Sequence, residues 1–249
     1  FLCRENIRWQ QQNTQVGLKI ELTNVVYYAL MNPFPLMPNH LVIAEETHTS
    51  QEWKIGEENN GPRSLSGLLE DLCQIAAGLP HHVGFYNGVD AGASIPSHLH
   101  FQFFHRLSSD PFFPLEQRNF SSPEKAGDPE FIINYPVEVA RWRGQPLDVV
   151  NSATSWIRDW YKRNANRREI LSSNFIASGM SSNGNVSLFF VPRDRTKSYF
   201  KGLSGLVGGL EILGELVFSS EEDKDLLERG KVDYFFCEQA LRGTHTPFF

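Results

Sequence analysis

Gly84–Gln102 reads GFYNGVDAGASIPSHLHFQ, and the alternation at its end decides what kind of fold this is. In the continuation HLHFQFFH, His98, His100 and Gln102 fall on one face of an extended segment. Leu99, Phe101 and Phe103 fall on the other, the period of two of a strand with one apolar side. At about 3.3 Å per residue, imidazoles two positions apart stand roughly 6–7 Å from one another, close enough to grip one phosphoryl group. Ahead of them lie a strand, HVGFYNG, and a glycine-rich connection, VDAGASIPS. Gly88 and Gly92 let the backbone approach an anion, Ser94 and the loop N–H groups offer a cradle for phosphate oxygens, and Asn87 adds an amide donor. Singly these are ordinary turn residues. Their place directly before the histidine strand is what gives them meaning.

Outward from this segment, Val25–Met31 (VVYYALM) and His40–Ala44 (HLVIA) read as strands joined by the turn-rich NPFPLMPN. From Ser64, an N-cap residue, Leu65, Leu68, Leu69, Leu72, Ile75, Ala76 and Leu79 recur at helical spacing, and Gly78 and Pro80 end the helix. Residues 106–130 carry no regular pattern. Leu147–Ala165 places Val150, Ala153, Thr154, Ile157, Trp160 and Tyr161 along one side of a second helix. NFIASGM and VSLFFVP follow as a hairpin across SSNG, with Asn183-Gly184 as its turn and Arg193 and Arg195 just beyond, where solvated side chains are expected. GLVGGLEILGELVFS reads as a glycine-punctuated strand region, and EEDKDLLERG opens a final helix toward Leu241. Strand, turn, strand and then helix occur in both halves. The reading is one globular α+β unit over 1–249, with residues 1–140 carrying the histidines and 141–249 forming a related half without them.

Composition narrows the function. A formal charge of -6 excludes a broad nucleic-acid surface, which needs clustered Lys and Arg. No apolar run approaches the roughly 20 residues of a membrane span. The opening FLCRENIRWQ lacks a basic-then-apolar leader, so a cytoplasmic location is expected. Cys3, Cys73 and Cys237 are too few and scattered for a disulfide framework or a closed cysteine zinc site, and Cys73 falls on an apolar helix face as a small hydrophobe.

Near neutral pH an imidazole is a good nucleophile and a competent leaving group from phosphorus. Its attacking nitrogen must carry the lone pair, so the other ring nitrogen must hold its proton on an acceptor. Gln102 does not titrate and would hold a phosphate oxygen by hydrogen bonding, while His98 would orient the site or donate to phosphate. A His-x-His pair also ligates metals, and His81, His82 or His105 could complete a three-histidine site. A nucleotide sensor without turnover is a third reading. His81 and His82 are expected at the surface, His40 and His48 at the surface or at strand ends, and His105 on the opposite face from His100.

GFYNGVDAGASIPSHLHFQ resembles the active-site segment of the histidine-triad superfamily, in the galactose-1-phosphate uridylyltransferase and diadenosine-tetraphosphate phosphorylase branch with its His-x-His-x-Gln signature. NPFPLMPNHLVIAEETHTSQ is similar to the strand pair preceding that motif, and SLFFVPRDR…GLEILGELVF to the phosphorylase branch's C-terminal half. The resemblance implies an antiparallel sheet with flanking helices in two related halves. It also implies His100 as the covalent nucleophile, His98 and Gln102 on phosphate oxygens, and Asn87, Gly92, Ser94 and Arg193 around the nucleotide phosphates. The implied substrates are a dinucleoside polyphosphate or a nucleotide sugar such as a GDP-hexose, with inorganic phosphate or a sugar 1-phosphate as second substrate. The protein would act as a monomer or homodimer, without an obligatory cofactor, though a divalent cation has a place beside the phosphates. In this chain Ser94 lies four residues before His98 where better-known members place it three before, and no cysteine cluster matches the structural metal site of the uridylyltransferases; no metal is expected.

Overall fold

The alternation of the histidine segment extends into its neighbours. In the computed structural model, residues 16–56, 63–106, 112–180, 183–199, 205–218 and 220–248 are described; Cys3 and the FLCREN opening lie outside them. Among these residues nine strands form one antiparallel sheet. In chain order they are β1 (Leu18–Glu21), β2 (Val26–Met31), β3 (Leu41–Glu45), β6 (His82–Asn87), β7 (His100–His105), β8 (Glu130–Phe131), β9 (Ala140–Gly144), β10 (Leu171–Gly179) and β11 (Val186–Asp194). A short parallel pair, β4 (Trp53–Lys54) with β5 (Arg63–Ser64), stands apart. The helices are α1 (Leu65–Gly78), α2 (Pro146–Arg163), α3 (Gly209–Leu213), α4 (Glu221–Glu228) and α5 (Tyr234–Arg242). None of them is long and apolar enough to cross a membrane.

The strand order β1-β2-β3-β7-β6-β10-β11-β9-β8 holds a palindrome: β3-β7-β6 answers β9-β11-β10. Each set is built in the same chain order, strand, helix, hairpin, as β3-α1-β6-β7 and as β9-α2-β10-β11. The fold is therefore α+β with two related halves, and the repeating unit is strand-helix-hairpin rather than the strand-turn-strand-then-helix order read from the sequence. The halves meet where β6 pairs with β10, with Asn87 opposite Asn174. Residue 140 is itself the first residue of β9, which pairs with β8 and with β11.

Both sheet faces are covered. On one, Leu68, Leu72 and Ile75 of α1 and Val150, Ala153, Ile157 and Trp160 of α2 pack on Phe101, Phe103, Phe175 and Phe190. The helical spacing predicts this face, and Ser64 caps α1 by accepting the Gly67 N–H at 3.2 Å, a contact typically worth about 1 kcal/mol. Cys73 is buried there, and burial pushes its thiol up to about 12. On the other face, Val83, Phe85, Phe104, Ile176, Phe189 and Val191 meet Leu210 and Leu213 of α3 and the loop residues Phe113, Leu115 and Val139. The candidate site lies on this second face.

Two elements differ from expectation for the same local reason, capping. The glycine-punctuated stretch forms α3 rather than strand, because the Glu211 carboxylate accepts the Gly208 N–H at 2.8 Å and Gly214, at φ +109°, ends the turn left-handed. The charged C-terminal stretch forms two helices rather than one: Gly230 at φ +62° ends α4, and Asp233 restarts α5 by accepting the Phe236 N–H at 2.8 Å.

Candidate active site

β7 begins at His100, so His98 precedes the strand instead of sharing its ladder with His100 and Gln102. The backbone is drawn aside there, with Leu99 N–H donating to the Thr49 carbonyl at 2.6 Å. The His98 ring is buried, and its Nε2 donates to the Glu45 carbonyl at 2.7 Å. Its Nδ1 has no hydrogen-bond partner among the described residues, and burial lowers its pKa. The His98 main chain does something else: its carbonyl lies 2.9 Å from His100 Nδ1. A carbonyl oxygen only accepts, so the proton sits on Nδ1 and the lone pair of the neutral ring on Nε2. Burial also pushes the His100 pKa down to about 4, so the ring is neutral at pH 7. This is the tautomer a nitrogen nucleophile needs, and its acceptor is the residue two positions earlier.

Gln102, half-buried on β7, is held by a residue the sequence placed at a surface or strand end. His40 is fully buried under Phe104, with ring centroids 4.4 Å apart. Its Nδ1 accepts the Leu36 N–H at 3.3 Å; a backbone amide only donates, so the His40 proton is on Nε2, which donates to Gln102 Oε1 at 2.8 Å. Burial pushes the His40 pKa down to about 4, keeping that tautomer neutral. The Gln102 oxygen is thereby spoken for, and its NH2 is the end left to serve a ligand.

The remaining residues predicted for the site gather at the seam of the two halves. Asn87 Oδ1 accepts from Asn174 Nδ2 and from the Gly209 N–H, both at 2.8 Å, and its Nδ2 donates to the Gly92 carbonyl at 3.1 Å. Gly92 has φ +99°, and a Cβ there would lie 2.4 Å from Gly208 Cα, so its glycine is required by packing against the second half. Ser94 is exposed on the same loop. Arg193, expected in solvent beyond the hairpin, is fully buried because β11 runs on to Asp194 and carries it into the seam beside Asn174 and Glu211. Its Nη1 donates to Asn174 Oδ1 at 2.6 Å, its Nε and Nη2 have no partner among the described residues, and burial pulls its pKa down to about 10 with Glu211 opposing. His40 and Asn174 were missed by sequence reasoning; a buried-looking apolar run starting at His40 was the one available signal for the first.

His81, His82 and His105 do cluster, with ring centroids of His105 4.9 Å from His82 and 6.3 Å from His81. They sit at the start of β6 and the end of β7, five positions from His100 along the strand, so they do not complete a site with His98 and His100. Among the described residues no group of three or more His, Cys, Asp or Glu is placed to hold a metal ion. His48 stands edge-on to His98 at 5.4 Å. A cleft of about 480 Å³ lined by Asp128, Glu130, Arg141, Arg143 and Asp148 lies over β8 and β9, away from His100.

Set beside known proteins, residues 1–105 match a family model described as a domain of unknown function, DUF4922. No curated protein matches the chain. Solved structures do. The yeast Ap4A phosphorylase Apa2 is similar over 88% of this chain and 73% of its own, at 18% identity and a TM-score of 0.56. The fold is shared with Ap4A phosphorylase. Its complex with Ap4A matches at 17% identity, 89% and 75% coverage and a TM-score of 0.56, and its complex with AMP at 19%, 89%, 73% and 0.55. The architecture implied by the His-x-His-x-Gln resemblance is the one the chain adopts.

Proposed function

We propose that the protein transfers a nucleotidyl group through a covalent adduct on His100. The observation that carries this reading is the 2.9 Å hydrogen bond from His100 Nδ1 to the His98 carbonyl, which leaves Nε2 with the lone pair in a ring held neutral by burial. In the first displacement Nε2 bonds to the α-phosphorus while the bond to the bridging oxygen breaks, and the remaining polyphosphate or sugar phosphate departs. In the second, an oxygen of inorganic phosphate, a sugar 1-phosphate or water attacks the adduct and the imidazole leaves. The Gln102 NH2 and the N–H groups of the 88–97 loop are the donors for charge gathering on the equatorial oxygens, usually the largest catalytic effect. His100 is 4% exposed, so its ring meets a substrate only once the site opens. A dinucleoside polyphosphate is the substrate class favoured, because two neighbours in fold hold Ap4A and AMP; a nucleotide sugar is the second arm of the test.

The test is to incubate the protein with Ap4A, and separately with nucleotide sugars, radiolabelled at the α-phosphate, and to look for acid-labile label on the protein. His100→Gly is expected to bind nucleotide but take no label. Absence of label on the wild-type protein with every substrate, alongside saturable nucleotide binding, would make it a sensor rather than an enzyme.

A further inference from the structure

The paired register of β6 and β7 ends at Phe85 opposite Gln102, two pairs before Asn87 and His100 would meet. There the carboxamide of Gln51 stands between the strands. Its Nε2 donates to the carbonyls of Asn87 and His100, 3.0 Å each, and its Oε1 accepts the His100 N–H at 2.9 Å. An oxygen facing an N–H and a nitrogen facing two carbonyls leave the amide one orientation. Gln51 is 0% exposed. Its own N–H donates to the Pro96 carbonyl at 3.0 Å, and its carbonyl accepts from the Tyr86 hydroxyl. The next two residues are pinned as firmly: Glu52 takes both Nη1 and Nη2 of Arg195 at 2.8 Å, and Trp53 Nε1 donates to Ser173 Oγ at 2.9 Å. Residues 51–53 thus form a strap over the ends of β7, β6 and β10, with one side chain driven into the sheet beside the histidine.

We propose that Gln51 is a positioning residue for His100: its wedged carboxamide holds the backbone of the nucleophile so that the ring stays bonded to the His98 carbonyl with Nε2 directed at the substrate. This rests on the reading of His100 as the nucleophile. A bond from a ring to the carbonyl two residues earlier survives only where the main chain between them is held, and Gln51 holds both the N–H and the carbonyl of His100. Without the wedge, two buried carbonyls and an N–H lose their partner, and they recover one only if β6 and β7 close on each other, moving His100 with them. Misplacing a reacting atom by about 1 Å costs on the order of 100-fold in rate.

The full chain is prepared as wild type, Gln51→Met, Gln51→Glu and, as a control on the same strap, Trp53→Phe. The single-turnover rate of label transfer from α-labelled Ap4A is measured together with the 15N spectrum of the histidine rings. Gln51→Met is expected to slow label transfer about 100-fold with half-saturation within about threefold, and to lose the Nδ1–H tautomer signal of His100. Trp53→Phe is expected to leave both unchanged. Gln51→Glu should regain rate as the pH falls, because only the protonated carboxyl has a donor for the two carbonyls; should Gln51→Met fail to fold, that profile decides. A wild-type rate and ring spectrum in Gln51→Met, or a Gln51→Glu profile parallel to wild type, overturns the proposal. If wild-type protein takes no label from Ap4A, the functional reading fails on its own, while the ring spectra still show whether Gln51 holds His100.

Discussion

His40 Nε2 lies 2.8 Å from Gln102 Oε1, although 62 positions separate the two residues, and that contact sets the polarity of the site. A free carboxamide presents its oxygen or its nitrogen with nearly equal ease, and an oxygen turned toward phosphate would repel it. The Leu36 N–H fixes the His40 tautomer, His40 fixes the Gln102 oxygen, and the NH2 is left for the ligand. At His100 the same logic runs through the His98 carbonyl. In both cases a main-chain group that can only donate or only accept determines the state of a ring.

Replacing His40 by leucine therefore removes the device that orients Gln102 without touching His100. The His40→Leu variant is expected to label with Ap4A about twofold more slowly, because the released amide spends about half of its time reversed. Single-turnover labelling measures it. A Gln102→Glu variant should be worse than His40→Leu, since it offers phosphate a carboxylate in either orientation.

The pH dependence follows from two buried imidazoles. His40 and His100 each have a folded pKa of about 4, below the ordinary 6.5, because burial disfavours the charged ring. Below pH 6.5 the unfolded chain takes up protons at both rings that the folded chain refuses until about pH 4. Stability contributed in this way is fully present above pH 6.5 and is lost as the pH falls from 6.5 to 4, by up to about 3 kcal/mol per ring. Urea unfolding between pH 7.5 and 4.5 measures the loss, and His40→Leu is expected to flatten part of the slope. Label transfer, by contrast, should show no inflection near pH 6.5, because His100 does not titrate there.

The elements that were legible in the sequence are those whose cause is local. The spacing Leu65, Leu68, Leu69, Leu72 is a helix face wherever it occurs, and Asn183-Gly184, with Gly184 at φ +70°, turns the hairpin by its own preference. The wedge and the tautomer switch were not legible, because their partners stand 49 and 62 positions away in sequence and meet only when the sheet closes. Arg193 shows the same limit in reverse. Its sequence neighbours mark it as a hairpin end, and only the meeting of the halves beside Asn174 and Glu211 buries it. Gly208 and Gly209 misled for a different reason: glycine lowers helix propensity, yet here the close approach to Asn87 and Phe85 demands it and Glu211 supplies the cap.

Gly92 joins the loop of the first half to the second. At φ +99°, and with Gly208 Cα 2.4 Å from where a Cβ would stand, Gly92→Ala has to strain its own backbone and push the two halves apart. We expect a loss of about 1–3 kcal/mol in urea unfolding, with slower labelling because the Gly92 carbonyl that accepts from Asn87 Nδ2 shifts with it. Gly184→Ala, at a positive φ but with open space around it, is the comparison: it should carry only the backbone cost, about 1 kcal/mol, and leave labelling at the wild-type rate.

Arg193 and Asn174 test whether the seam beneath the site is held by charge or by shape. The guanidinium is buried, two of its nitrogens are without partners among the described residues, and Nη1 relies on Asn174 Oδ1 at 2.6 Å. Removing the acceptor in Asn174→Ala strands a buried cation and also takes a donor from Asn87, so the cost is expected to reach about 3 kcal/mol. Removing the cation in Arg193→Met keeps most of the volume, restores Asn174 Oδ1 to no worse than one lost bond and relieves desolvation, so it should cost clearly less. If Arg193 also meets substrate phosphate, the order reverses in function: Arg193→Met then raises the Ap4A concentration needed for half-maximal labelling, while Asn174→Ala leaves it nearly unchanged. Measuring unfolding and labelling on the same two variants separates the structural duty of the arginine from any duty toward the ligand.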